Sequence, residues 1–180
     1  MNIDINNTFK SIYENESDAI FRFCLVRVSD REQALDITQE TFLRLWKNLF
    51  EGKEVKNGRA FVFTIANHLI IDWYRKKKSI PFNNMKDTNE DGEEVDYDPK
   101  DSLTTDENIL LGAEGRYLIE KMNELSPMYR DPIYLRFVED LSPGEIGDIL
   151  GISTNAASVR INRGLIELRK KSGYSNNKSE

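Results

Sequence analysis

At 180 residues, 39% hydrophobic and 31% charged, the chain has the size and balance of one or two small soluble domains, with no apolar run long enough to cross a bilayer. One cysteine and one histidine, Cys24 and His68, exclude an internal disulfide and a zinc site by spacing, and no serine or cysteine nucleophile motif or glycine-rich phosphate loop is present, so neither an enzyme nor a bound metal or cofactor is expected. The net charge of −6 speaks against an evenly basic nucleic-acid binder, but that charge is unevenly placed along the chain.

The amino-terminal stretch MNIDINNTFKSIYENESD has neither the basic region nor the apolar core of a signal peptide, which predicts a cytoplasmic protein without membrane insertion. From about Ile5 to Lys78 the pattern is helical. Phe9, Ile12, Tyr13, Ile20, Phe21, Phe23, Leu25 and Val26 mark one aromatic-rich helix, with Cys24 as a core residue among them. Ser29 with Glu32 three residues later has the pattern of a capping box, so a second helix is expected to start there and to run through Leu35, Ile37, Phe42, Leu45, Trp46 and Leu49. Leu35, Leu43 and Trp46 are expected on its packed side, with acids and an amide on the exposed side. After the loop FEGKEVKNG, a third helix is expected over Gly58 to Lys78, closing on Trp73, Tyr74 and the cations Arg75, Lys76, Lys77 and Lys78.

Between Asp87 and Glu107 ten acids face Lys100 alone, a local charge of −9, so the rest of the chain carries +3 within the total of −6. Apolar periodicity is weak from about Pro81 to Thr105, and an extended acidic linker is expected there, with basic patches on either side. Roughly 25 residues at 3.3–3.6 Å each can span on the order of 80 Å.

The last third carries the sharpest signal. Ser142, Pro143 and Glu145 form a capping-box pattern with proline at the first helical position, for a short helix through Ile146, Ile149 and Leu150 that Gly151 stops. Ser153 can cap a longer helix ending in Arg169, Lys170 and Lys171, cations that suit the negative end of the helix dipole. Two helices joined by a tight glycine-containing turn match a helix-turn-helix. On a helical wheel Ala157, Ile161, Gly164, Leu165 and Leu168 point inward. Asn155, Val159, Asn162 and Arg163, flanked by Ser158 and Arg160, point outward as groups able to address base edges, while Lys170 suits a phosphate.

The segments DITQETFLRLWKNL, RAFVFTIANHLIIDWYRKKK, the acidic stretch, and LSPMYRDPIYLRFVEDLSPGEIGDILGIS with VRINRG resemble, in that order, an extracytoplasmic-function sigma factor, the small two-domain class of the sigma-70 family. The resemblance implies an all-α fold: region 2 over residues 1–80 and region 4 over 107–180, two small helical domains joined by a flexible acidic linker over 81–106. It implies a specificity subunit that binds core RNA polymerase, recognises and opens promoter DNA, and is held by an anti-sigma protein. By position, Asp36, Gln39, Glu40 and Phe42 match the polymerase-docking region. Asn67, His68, Trp73, Tyr74, Arg75, Lys76 and Lys77 fall in the segment that opens the minus-ten element, and the helix-turn-helix residues named above match the reader of the minus-thirty-five element. The chain departs from the family pattern in two places: His68 stands where the family has asparagine, and Ala156 and Ala157 stand where threonine and valine are frequent. The alternative is a stand-alone helix-turn-helix regulator, which would share the last module but carry a ligand or dimerisation domain in front.

Overall fold

The computed structural model describes residues 5–78 and 113–173, and the expected acidic linker lies outside the described residues. Among the described residues there are seven α-helices and no strand, in two compact units.

The first unit contains α1 (Ile5–Val28), α2 (Arg31–Phe50) and α3 (Gly58–Lys78). The helices α1 and α2 form an antiparallel pair because only Ser29 and Asp30 separate them. The expected cap shifts by one residue here. Ser29 adopts φ 53° and its N–H donates to the Leu25 carbonyl at 2.9 Å, which terminates α1. Asp30, extended at φ −140°, therefore caps α2, its carboxylate accepting from Gln33 N–H at 3.1 Å. Ile20, Phe23 and Cys24 of α1, Ala34 and Leu45 of α2, and Val62, Phe63, Ala66 and Ile70 of α3 are almost wholly buried and make the core. Phe23 meets Phe63 edge to face at 5.3 Å. Burial of Cys24 matches its expected core role, and the loss of water pushes its thiol up to about 12, against weaker opposing effects of Thr38 and Arg27.

The second unit contains α4 (Ala113–Asn123), α5 (Pro127–Phe137), α6 (Pro143–Leu150) and α7 (Thr154–Lys171). Helix α7 packs on α4, α5 and α6. Its core draws Met122, Leu125, Ile133, Leu135, Ile146, Ile149, Ala157, Ile161 and Leu168 from all four helices. The α5–α7 crossing is close because Gly164 has no side chain: a Cβ there would fall 2.6 Å from Ile133 Cδ1 and 3.1 Å from Tyr129 Cβ. Buried Arg130 pairs with Asp131 at 3.3 Å, and buried Glu139 accepts from the Tyr134 hydroxyl at 3.1 Å, so ionisable groups enter this core in company.

Candidate nucleic-acid and protein interfaces

The helix-turn-helix forms as its caps dictate. Ser142 Oγ accepts from Glu145 N–H at 3.3 Å while a Glu145 carboxylate oxygen accepts from Ser142 N–H at 2.9 Å, so two otherwise orphaned donors at the start of α6 are satisfied. Gly151 ends α6 at φ 68°, a left-handed conformation that a side chain would disfavour. Ser153 Oγ then accepts from Ala156 N–H at 3.1 Å and starts α7.

Ala157, Ile161, Gly164 and Leu168 are buried as expected, and Leu165 is half-buried beside them. Asn155, Val159, Asn162 and Arg163 are exposed along one strip of α7, with Arg160 and Ser158 half-buried at its edges. The Ser158 hydroxyl is engaged, donating to the Thr154 carbonyl at 3.0 Å. Lys170 is exposed and pairs with Glu167 at 3.2 Å, a surface contact of small worth that a phosphate can displace.

On α2 the structure turns the helix relative to expectation. Asp36 and Gln39 are exposed and Glu40 half-exposed, as the sequence suggested, with Glu40 paired to Arg44 at 2.8 Å. Phe42 is a correction. It is only 4% exposed, its ring 4.8 Å from Tyr13 and 6.5 Å from Phe9, so it is a core residue and cannot form part of an open docking face. Leu35 and Leu43, expected inside, lie at the surface with Phe50, and Leu43 and Phe50 are 62% and 73% exposed, whereas Trp46 is at the edge, 36% exposed with its ring edge to face with Phe9 at 5.2 Å. Spacings of three, four and seven residues put Leu35, Gln39, Leu43, Trp46 and Phe50 on one face, bordered by Asp36, Glu40 and Lys47. Hydrophobicity alone could not find this face, because α2 carries apolar residues on both sides and its core side uses the small residues Ala34 and Thr41.

On α3 the pattern divides again. His68 is exposed, and Asp72 and Arg75 follow on the same side, joined at 3.7 Å. Asn67, the other candidate at this level, is corrected to a buried structural residue: it is 3% exposed and its carboxamide oxygen accepts from Arg27 Nη1 at 3.3 Å. Trp73 and Tyr74 are half-buried and pack edge to face at 4.7 Å, and the Lys77 ammonium lies 4.9 Å above the Trp73 ring. Arg75, Lys76 and Lys77 are exposed. Before α3, the loop 51–57 is largely exposed and ends at Asn57, whose side chain accepts from Ala60 N–H at 3.0 Å and caps the helix. The surface of α3 thus carries an imidazole and Arg75 on one side and an aromatic pair with Lys77 on another, groups that can stack on unpaired bases and neutralise a backbone.

The sigma-70 region 2 model matches residues 12–80, and the sigma-70 region 4 model matches residues 115–168. The chain is 30% identical over 156 residues to the ECF RNA polymerase sigma factor BldN of Streptomyces coelicolor, covering 83% of this chain and 54% of that protein, so it spans about half of that relative's length. It is 28% identical over 166 residues to the ECF RNA polymerase sigma factor SigW of Bacillus subtilis, covering 91% of this chain and 88% of that one. In fold it is similar to the sigma factor RpoE crystallised with the anti-sigma factor NepR from Bartonella quintana, with a TM-score of 0.67 at 17% identity over 94% of this chain and 99% of the other.

Regions 2 and 4 in this order define a transcription initiation factor rather than an enzyme, and a front module of region 2 type disfavours a stand-alone helix-turn-helix regulator. The chain belongs to the sigma-70 family of RNA polymerase sigma factors, in its extracytoplasmic-function class. No helix among the described residues is long and apolar enough to cross a membrane.

Proposed function

We propose that residues 1–80 dock on core RNA polymerase and open the minus-ten element, that residues 107–180 recognise the minus-thirty-five element, and that 81–106 tether the two. Docking uses the exposed face of α2, through Asp36, Gln39 and Glu40 together with Leu35, Leu43, Trp46 and Phe50. An interface core needs desolvated apolar groups with polar groups around it, and this face has both. Opening uses His68, Trp73, Tyr74 and the cations Arg75, Lys76 and Lys77 with the loop 51–57. Upstream recognition uses Asn155, Ser158, Val159, Arg160, Asn162 and Arg163, with Lys170 on a phosphate. The protein works in the cytoplasm, where polymerase and promoter are, and is held by an anti-sigma protein; its likeness in fold to RpoE, solved in complex with the anti-sigma factor NepR, supports such a partner.

The observation that carries this reading is the pairing, in one chain, of a capped helix-turn-helix presenting amides and guanidinium groups with a helix that presents rings and cations. The test is reconstitution. Mixed with core polymerase, the chain is expected to bind and to direct initiation at discrete start sites, whose upstream sequences share two elements. Absence of binding to core would refute the reading. Among variants, His68→Ala is expected to impair melting on duplex promoters, seen as lost permanganate reactivity of thymines, and a pre-melted bubble template is expected to restore transcription.

A further inference from the structure

One residue of α1 holds the proposed opening surface of α3 from beneath. Arg27 is the penultimate residue of α1 and only 7% exposed despite its charge. Its guanidinium lies 5.5 Å from the centre of the Phe23 ring, and Nη1 donates to the Asn67 carboxamide oxygen at 3.3 Å. The backbone carbonyl of the same residue accepts a hydrogen bond from the Tyr74 hydroxyl. That carbonyl is among the last four of α1, which have no donor within their own helix, so the hydroxyl fills a vacancy the helix end creates.

Asn67 and Tyr74 are seven residues apart, two turns along α3 at nearly the same azimuth. The core residues Val62, Phe63, Ala66 and Ile70 press α3 against its neighbours, but apolar contact is non-directional and tolerates a small roll about the helix axis. Two directional bonds on one side, two turns apart, do not. The residues that follow the two anchors are His68 and Arg75, both exposed. Trp73 packs on Tyr74 and Lys77 lies over Trp73. Each of these groups is therefore adjacent to an anchor or stacked in series on one.

We propose that Arg27 is a positioning residue for promoter opening: through Asn67 and Tyr74 it sets the roll of α3, and with it the azimuths of His68 and Arg75 on one side of the helix and of Trp73 and Lys77 on the other. The proposal rests on the assignment of α3 to strand opening. A roll of about 10° moves a side-chain tip at the ~6 Å radius of a helix by about 1 Å, and a misplacement of that size can cost on the order of 100-fold where geometry is demanding.

The experiment uses the full chain with core RNA polymerase and two mild variants. Arg27→Lys keeps the charge but loses the planar fork that reaches Asn67, and Tyr74→Phe removes only the hydroxyl. Thermal melting, affinity for core and open-complex formation on a duplex promoter are measured for each, and Arg27→Lys is repeated in a His68→Ala/Trp73→Ala background. Expected are a folded protein, core affinity within about twofold, and open-complex formation lowered by on the order of tenfold, with a much smaller further loss in the double-variant background, where a positioned group on each side of the helix is already gone. If Arg27→Lys does not fold, Tyr74→Phe carries the same comparison with its ring packing kept. A loss that multiplies undiminished in that background, or one matched by an equal loss of core affinity, overturns the proposal. Normal opening by both Arg27→Lys and Tyr74→Phe, with opening impaired by His68→Ala/Trp73→Ala, removes the proposal alone. Normal opening by His68→Ala/Trp73→Ala removes the assignment of α3 as well.

Discussion

Phe42 and Leu43 are consecutive residues of α2 with opposite environments, and this makes them the sharpest probe of how α2 is turned. Phe42 is 4% exposed and its ring meets Phe9 and Tyr13 edge to face, whereas Leu43 is 62% exposed. Truncation of a buried phenylalanine costs roughly 3–5 kcal/mol in lost transfer energy and residual cavity. Each aromatic pair adds about 0.5–1.5 kcal/mol, which places Phe42→Ala toward the upper part of that range. Against a total stability of about 5–15 kcal/mol this is a large fraction, and at about 4–8 °C per kcal/mol for a small domain the melting temperature should fall by well over 10 °C. Leu43→Ala removes little packing, so its stability should stay within about 0.5 kcal/mol of the parent. Its effect should appear on polymerase instead. Desolvating one leucine at an interface is worth about 1.5–3 kcal/mol, a loss of roughly 10- to 100-fold in affinity for core. Circular-dichroism melts combined with titration of labelled core polymerase read both quantities. Equal destabilisation by the two variants, or an unchanged melt for Phe42→Ala, would refute the orientation of α2; unchanged affinity for Leu43→Ala would remove the apolar part of the docking face.

Three further outcomes follow from the other elements. Arg163→Ala and Asn162→Ala should weaken promoter binding at particular upstream positions by about 1–3 kcal/mol each, whereas Lys170→Ala should weaken it evenly across sequences and reduce the salt slope by about 1; comparing a panel of mutated upstream elements at several salt concentrations separates the two, and identical profiles would dismiss the division of the α7 face. Cys24 should resist alkylation at pH 8–9, because burial has pushed its thiol up to about 12 and little thiolate exists below that value; labelling as fast in the native protein as in denaturant would show the thiol is accessible. Ser142→Ala should destabilise the second unit by about 1 kcal/mol through loss of the α6 capping box, and a calorimetric trace superimposable on the parent would count against the cap.

The helix-turn-helix was legible in the sequence because its signals are local. Ser142 with Glu145, Gly151 and Ser153 each act within four residues, and each cap formed where the spacing indicated. The slip at the start of α2 arose from two adjacent residues that can both cap, of which Ser29 was taken up in ending α1. The roll of α2 was hidden for a different reason: its core side is built partly from Ala34 and Thr41, which no hydrophobic pattern marks, while Leu35, Leu43 and Phe50 occupy the solvent side. Asn67 could not be assigned from sequence at all, since its partner Arg27 is 40 residues away. Local chemistry is written along the chain; the pairing of polar groups between helices is not.

Two sets of residues depart from apolar-in, polar-out in opposite senses, and each departure has a physical meaning. Leu43 and Phe50 at the surface of α2 are costly to a protein that remains alone, and become favourable when a partner removes them from water. Arg27 beneath α3 and Asn67 on the buried side of α3 are costly unless hydrogen-bonded, and their bond ties α1 to α3 directionally, as an apolar filling would not. Helix α7 departs less: apart from Val159 its outer strip is polar, able to exchange water for base edges and phosphates when bound. On the proposed assignment each face meets a different counterpart, protein for α2, unpaired strand for α3 and duplex for α7. A variant that makes the α2 face polar, Leu43→Ser with Phe50→Ser, should accordingly leave α7-dependent binding to an upstream duplex intact while abolishing polymerase-dependent transcription, and loss of duplex binding by that variant would show that the faces do not act separately.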